Sequence, residues 1–232
     1  MLEKLKLDFK KEHIHYYVIL LSAPILLSIY RYHGYPGTFN TFFTTGLPND
    51  QNIRINQFII FFFLTFIIPA LYIILAMKKP LSDFGLRIGN SKWGIKSLLL
   101  IPLLIIPVLY FGVRVPELQS EYPLAKSLLK DQSNVLIYEL LYFVFYYIAW
   151  EFFFRGFILF GLKDKFGVFN AILIQTISSC LVHIDKPEGE IFGSIIAGIV
   201  LGIIAVRTKS IWYVVILHGA IGIITDLFII YT

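Results

Sequence analysis

A glutamate and two histidines lie inside apolar stretches of the sequence. An ionisable side chain in such a stretch costs free energy to bury and is therefore a candidate for function. Glu151 and Arg155 lie four residues apart with three phenylalanines between them, so on a helix they can pair on one face. His183 ends a mostly apolar run, and His218 lies inside another. One carboxylate and two imidazoles can activate a water molecule, with or without a metal ion. We therefore predict a hydrolytic site with Glu151 as general base.

Each of these residues also has a purely structural interpretation. Glu151 and Arg155 could form an ion pair that only holds helices together, and a lone histidine on an apolar helix is often a hydrogen-bonded packing residue. Two more acidic residues could support a site. Glu190 opens the sixth apolar run, where it could simply cap a helix. Asp226 is deep in the last run, where we predict that it pairs with Arg155 or orients a histidine.

The composition determines what kind of chain must position these residues. Hydrophobic residues make up 57% of the 232 residues, charged residues only 15%, and the mean hydropathy is +0.75. A soluble domain could not keep so much apolar surface away from water, so a soluble enzyme and a disordered chain are both excluded. The net charge of +5 comes from basic clusters beside apolar runs, which is typical of cytoplasmic loops and not of nucleic-acid binding.

We predict an all-α, polytopic membrane protein with a single membrane domain, residues 1–232, and about seven transmembrane helices, in a range of six to eight. The apolar runs are Ile14–Tyr30, Gln57–Met77, Gly94–Val113, Val135–Gly161, Phe169–His183, Ile191–Val206 and Ile211–Tyr231. The first three contain almost no ionisable residue and are predicted to be scaffold. Residues 135–231 are predicted to carry the active site. Ser194, Gly198 and Gly202 form a stripe of small residues that favours close helix packing.

The distribution of basic residues predicts the orientation. Twelve Lys and Arg residues fall between spans on the side of the N-terminus and six on the other side, which favours a cytoplasmic N-terminal segment, residues 1–13. We expect a multi-pass protein of the cell membrane. The segments Arg31–Asn56 and Arg114–Asn134 are predicted to be surface loops on the opposite side.

The residues around these positions resemble the CPBP (Abi) intramembrane proteases, which include the CAAX prenyl endopeptidases of the Rce1 type. The family pattern is EExxxR on one span, FxxxH on the next and HxxxN or HxxxB on a later one. Glu151 to Arg155, followed by Gly156-Phe157, matches the second half of the first motif. His183 ends the second motif and His218 begins the third.

Three motif positions depart from the family pattern. Trp150 replaces the first glutamate, which in the family usually activates the water, Ser179 replaces the phenylalanine, and Gly222 replaces the asparagine. The chain therefore resembles a variant subgroup with Trp-Glu in place of Glu-Glu.

The resemblance implies an endopeptidase that cleaves a hydrophobic or membrane-anchored substrate, of which prenylated CAAX proteins are the family type. Glu151 would take a proton from water and Arg155 would orient it. His183 would hold the water or a Zn²⁺ ion, and His218 would stabilise the oxyanion or complete the metal site. Zinc on Glu151, His183 and His218 stays open, because Rce1-type catalysis is also explained without a metal.

Two other classes of function remain open. A catalytically degenerate, protease-like scaffold could bind peptides or act in bacteriocin-type immunity, and Trp150 and Gly222 favour it. A proton-coupled transporter would fit the buried Glu, Asp and His residues, but the sequence shows no internal repeat. In every case the predicted partners are the lipid bilayer and, for the protease, a hydrophobic peptide or protein.

Overall fold

The structure is a computed structural model that describes residues 9–232, and within this range it is all helical. Residues 1–8, which include part of the predicted cytoplasmic segment together with Lys4 and Lys6, lie outside the described residues. The described helices are α1 Lys11–His33, α2 Asn49–Met77, α3 Ser91–Gly112, α4 Pro116–Glu121, α5 Val135–Phe166, α6 Val168–Leu181, α7 Glu188–Thr208 and α8 Trp212–Tyr231.

The predicted fold class is confirmed. Six of the described helices are long and apolar enough to cross a membrane, namely all except α4 and α6. The fifth predicted span corresponds to α6, which has 14 residues and ends at Leu181, so that His183 lies in the turn that follows.

The 32-residue helix α5 is the centre of the bundle. Its side chains Phe152, Phe153 and Phe154 are completely buried. Helix α3 lies at the periphery, where Leu99, Leu103 and Leu104 are each at least 65% exposed. Such an apolar outer surface is stable only against lipid, in agreement with a membrane protein.

Helix α2 begins eight residues before the predicted span, at Asn49. The first turns are polar, yet Asn52 and Asn56 are buried because their side chains bond the preceding loop. Asn56 Oδ1 accepts hydrogen bonds from the backbone amides of Phe42 and Phe43, and Asn52 Oδ1 accepts one from Thr45. The predicted surface loop 31–56 is therefore shorter and more ordered than its composition indicates.

The stripe of small residues packs as predicted. A Cβ atom at Gly198 would lie 2.7 Å from Thr176 Cγ2, so glycine lets α7 approach α6 closely. Gln175 Nε2 donates a hydrogen bond to the Gly198 carbonyl at 2.8 Å, across the same contact. This packing holds the turn with His183 next to the start of α7.

Candidate functional site

A cavity of about 240 Å³ lies at the end of the bundle where α1 ends and α2 and α7 begin. His183, Glu190, His218 and Trp150 line it. The two histidines and Glu190 keep 16%, 20% and 21% of their side chains exposed, so a small molecule in the cavity can reach all three. The structure thus brings together both predicted histidines, with Glu190 as the accompanying carboxylate.

The Glu151 carboxylate is buried against Arg155 and His218. Its side chain is completely buried and is not part of the cavity lining. Oε1 accepts a hydrogen bond from Arg155 Nη1 at 3.1 Å, which confirms the predicted pair, and lies 2.6 Å from His218 Nδ1. A general base must reach the water that it activates. This geometry suits Glu151 to orienting His218.

The contact with Glu151 determines which nitrogen of the His218 imidazole is free. With Nδ1 donating to the carboxylate, the ring is fixed, and Nε2 is the nitrogen available for chemistry. A carboxylate behind a functional histidine fixes the orientation of the ring and stabilises its charged form.

His183 is held in a comparable way from the other side of the site. Its Nδ1 lies 2.8 Å from the Ser179 carbonyl oxygen, and Nε2 lies 4.0 Å from Glu190 Oε1. The Trp150 ring packs edge to face against both imidazoles, at centroid distances of 5.2 Å to His183 and 5.8 Å to His218. The indole therefore occupies the position beside both histidines where the family pattern has its first glutamate.

Glu190 is a cavity carboxylate and not a helix cap. It lies in the first turn of α7, but it accepts a hydrogen bond at 2.8 Å from the hydroxyl of Tyr122, which belongs to the loop before α5. Burial raises the pKa of Tyr122 well above its usual range, and the charge of Glu190 raises it further. The phenol therefore stays protonated at neutral pH and donates to the carboxylate.

The side chains that were predicted to hold a possible Zn²⁺ ion are Glu151, His183 and His218. No group of three or more His, Cys, Asp or Glu side chains within residues 9–232 is placed so that it could hold a metal ion. Glu151 Oε1 already contacts His218 Nδ1 and Arg155. The zinc hypothesis stays a prediction, and the mechanism below uses no metal.

Asp226 does not make either of its predicted contacts, because it bonds neither Arg155 nor a histidine. It is fully buried, and its carboxyl group lies beside that of Glu139 on α5. Glu139 was not among the predicted site residues, although a glutamate within the apolar stretch Val135–Tyr142 is a recognisable signal.

Gly222, at the asparagine position of the last motif, is explained by Tyr147. A Cβ atom at position 222 would overlap the Tyr147 hydroxyl. The Tyr147 ring in turn packs against His218 at a centroid distance of 5.0 Å and lines the cavity. The tyrosine and the glycine are therefore a matched pair that supports one side of His218.

Gly222→Ala is accordingly expected to destabilise the protein by about 1–3 kcal/mol or more, because Tyr147 must move out of a packed position. Thermal unfolding in detergent measures the loss. Gly193→Ala is the matched control, since nothing lies within 4 Å of a Cβ at that exposed position of α7. Equal stability of the two variants would contradict the packing described here.

The first two helices were predicted to be scaffold, yet both contribute to the cavity. Arg31 and Tyr35 come from the end of α1 and the loop after it, and Arg54 and Gln57 come from α2. Arg31 and Arg54 stand near the ends of apolar runs, where a basic residue is usually only a topology signal. Only the folded bundle shows that Arg31 and Arg54 line the cavity and are more than topology signals.

The apolar helices define the chain as an integral, multi-pass membrane protein. Its residues 132–224 match the family model described as type II CAAX prenyl endopeptidase Rce1-like. The predicted family resemblance is thereby confirmed over this segment, which runs from just before α5 into α8. The family that it matches is a family of proteases. No curated protein and no solved structure is detectably similar to the chain.

Proposed function

We propose that the protein is an intramembrane endopeptidase that cleaves a hydrophobic or membrane-anchored substrate in the cavity between His183, Glu190 and His218. The observation that carries this proposal is the common cavity of a reachable carboxylate and two fixed imidazoles. The Rce1-like segment supports a protease at the level of the family.

In the proposed mechanism, Glu190 is the general base in place of Glu151. Its carboxylate takes a proton from a water molecule as the water oxygen attacks the carbonyl carbon of the peptide bond. His183 Nε2, 4.0 Å from Glu190 Oε1, positions this water.

His218 stabilises the developing oxyanion. As an imidazolium it donates from Nδ1 to Glu151 and from Nε2 to the oxyanion, so Glu151 acts through His218. The tetrahedral intermediate collapses with cleavage of the C–N bond, and Glu190 returns its proton to the leaving amine. The products are a new carboxylate and a new amine.

With the proposed orientation, peptide hydrolysis takes place on the outer side of the membrane. The cavity lies at the end of α1 opposite to its start, so a cytoplasmic N-terminus means that the cavity faces away from the cytoplasm. A substrate would then arrive from outside the cell or from the outer leaflet of the membrane.

Peptide hydrolysis by the purified protein tests the function. We expect N-acylated, hydrophobic peptides to be cleaved in lipid nanodiscs, with new termini detected by mass spectrometry. We expect an unchanged rate with a metal chelator, because Glu190 supplies the base. In oriented vesicles, cleavage should require peptide on the outer side. A rate that falls with chelator and returns with zinc would replace the metal-free mechanism.

A degenerate binding scaffold is the second candidate, and the packing of Trp150 against both histidines favours it. An indole in that place excludes water from part of the site and could hold an apolar ligand. Tight binding of the same peptides with no cleavage of any of them would select this function over hydrolysis.

A further inference from the structure

A groove of about 180 Å³ lies on the outside of the bundle between α3 and α7, towards the end of α7 opposite to the cavity. Trp93 and Lys96, near the start of α3, line one end of it. Leu99 and Leu103 beside the groove are at least 65% exposed, so it opens towards the hydrocarbon of the bilayer. The walls are apolar and consist of Leu100 and Ile101 on α3 and of Val200, Ile203 and Ile204 on α7.

Two cations share one indole ring at this end of the groove. The Lys96 ammonium nitrogen lies 5.3 Å from the centre of the Trp93 ring, and the guanidinium carbon of Arg207 lies 4.9 Å from it. Both distances are within the range of cation–π attraction, so the ring holds one cation from α3 and one from α7. Lys92 lies four residues before Lys96 and therefore on the same face of α3.

The positive charges at this end of the groove have no acidic counterpart. Residues 84–116 and 191–225, which contain α3 and all of α7 after Glu190, include no Asp or Glu. In the described part of the chain, Lys92, Lys96 and Arg207 form no ion pair with a carboxylate. Basic residues at this end of a bundle are usual topology signals, but like charges beside one groove repel each other and favour a bound anion.

The backbone around the groove is fixed by contacts with the rest of the bundle. The Asn90 amide donates a hydrogen bond to the Thr208 carbonyl oxygen at 2.7 Å, which joins the loop before α3 to the end of α7. A Cβ atom at Gly94 would lie 2.2 Å from the Tyr213 ring, so the start of α3 also packs tightly on α8. The aromatic ring and its two cations therefore project from fixed helices, as a preformed binding site requires.

We propose that this groove binds an anionic phospholipid from the leaflet on the side where α1 begins. The phosphate group contacts Lys96 and Arg207 beside Trp93, and one acyl chain lies between Leu100 and Val200. Basic pockets between membrane helices on the cytoplasmic side bind lipid head groups of this kind. In the predicted orientation the groove faces the cytoplasmic leaflet. The proposal does not depend on peptide hydrolysis, since the site is at the other end of α7 from the cavity.

Quenching of tryptophan fluorescence by lipids with brominated acyl chains tests this site in the full chain. Trp212→Phe keeps Trp93 as the reporter. Trp93→Phe keeps Trp212, which is 37% exposed at the same end of the bundle. None of the described cations lies over the Trp212 ring. Trp150 is buried and common to both proteins.

The probes are nanodiscs that contain phosphatidylglycerol and phosphatidylcholine, with either the first or the second lipid brominated. We expect Trp93 to prefer phosphatidylglycerol by about 10–100-fold, because each basic residue near an anionic head group contributes about fivefold. Trp212 should show little preference. Soluble glycerol phosphate, which has no acyl chain, should not reduce the quenching of Trp93.

Charge variants then assign the preference to the two cations on the ring. In the double variant Lys96→Gln, Arg207→Gln, the preference measured at Trp93 should fall to that at Trp212. Arg114→Gln is the matched control, because Arg114 also packs on an aromatic ring, at 4.1 Å from the centre of Tyr110, but at the other end of α3. It should leave the preference at Trp93 unchanged.

Equal preference at Trp93 and Trp212 would show only a general enrichment of anionic lipid and would overturn the proposal, whether or not the double variant folds. A full preference in a folded double variant would contradict the role of Lys96 and Arg207. Displacement by glycerol phosphate would show a phosphate site in place of a lipid site. All of these results are obtained without peptide, so they leave the proposed hydrolysis untouched.

Discussion

Glu190→Gln is expected to lower kcat of peptide hydrolysis by about 10²–10⁴-fold, the usual contribution of a positioned general base. The amide keeps the size of the side chain and can still accept the Tyr122 hydrogen bond, but it cannot take a proton from water. KM should change little, because substrate contacts elsewhere in the cavity remain. Steady-state kinetics on a fluorogenic hydrophobic peptide measures both constants.

Glu188→Gln is the control for this prediction, because Glu188 lies in the same first turn of α7 but is exposed. It should keep the full rate. Full activity of Glu190→Gln together with loss of activity in Glu151→Gln would return the role of base to Glu151, as the sequence alone predicted. Loss in both variants would fit the proposed mechanism, since Glu151 is needed to hold His218.

Arg155→Leu is expected to be the most destabilising of the substitutions considered, with a loss of about 3–5 kcal/mol in the free energy of unfolding. Glu151 and Arg155 are 0% and 2% exposed, so the change removes the arginine from a buried ion pair and leaves the carboxylate with His218 alone. Unfolding of the protein in mixed detergent micelles gives the free-energy difference. We expect the amount of folded protein in cells to fall as well.

Lys163→Leu provides the contrast, because Lys163 pairs with Asp164, whose side chain is 75% exposed, and surface pairs contribute only about 0–1 kcal/mol. The double variant Glu151→Leu, Arg155→Leu should regain much of the lost stability, since apolar pairs often replace buried ion pairs without loss. It should not regain activity, because His218 loses its orienting carboxylate. Wild-type stability of Arg155→Leu alone would contradict the described pair.

The class of the protein and its helices were predictable from local features of the sequence. Apolar runs of about 20 residues have few alternatives to a membrane helix, because only a helix satisfies its own backbone in lipid. The pairing of Glu151 with Arg155 follows from their spacing of four residues, and the small stripe around Gly198 follows from the need for close helix contact. Both contacts are predictable from the spacing of residues along one helix, without knowledge of the rest of the fold.

The predicted start of α2 was wrong because the groups that bond its first turns lie outside the helix. Its first residues are polar, and their burial depends on backbone amides of a loop that comes earlier in the chain. A hydropathy pattern measures the preference for lipid and cannot detect such bonds. The same holds for Gly222, whose lack of a side chain makes sense only beside Tyr147.

The amino-acid sequence alone predicts the membrane class, the resemblance of residues 132–224 to a family of proteases and the types of side chain available for hydrolysis. The tertiary structure decided which carboxylate meets the cavity. Adjacent residues on a helix point about 100° apart, so the rotation of α5 turns Trp150 towards the histidines and Glu151 away from the cavity. Glu190 and Arg54 reach the same cavity from α7 and α2, and no local pattern encodes how helices distant in sequence pack together.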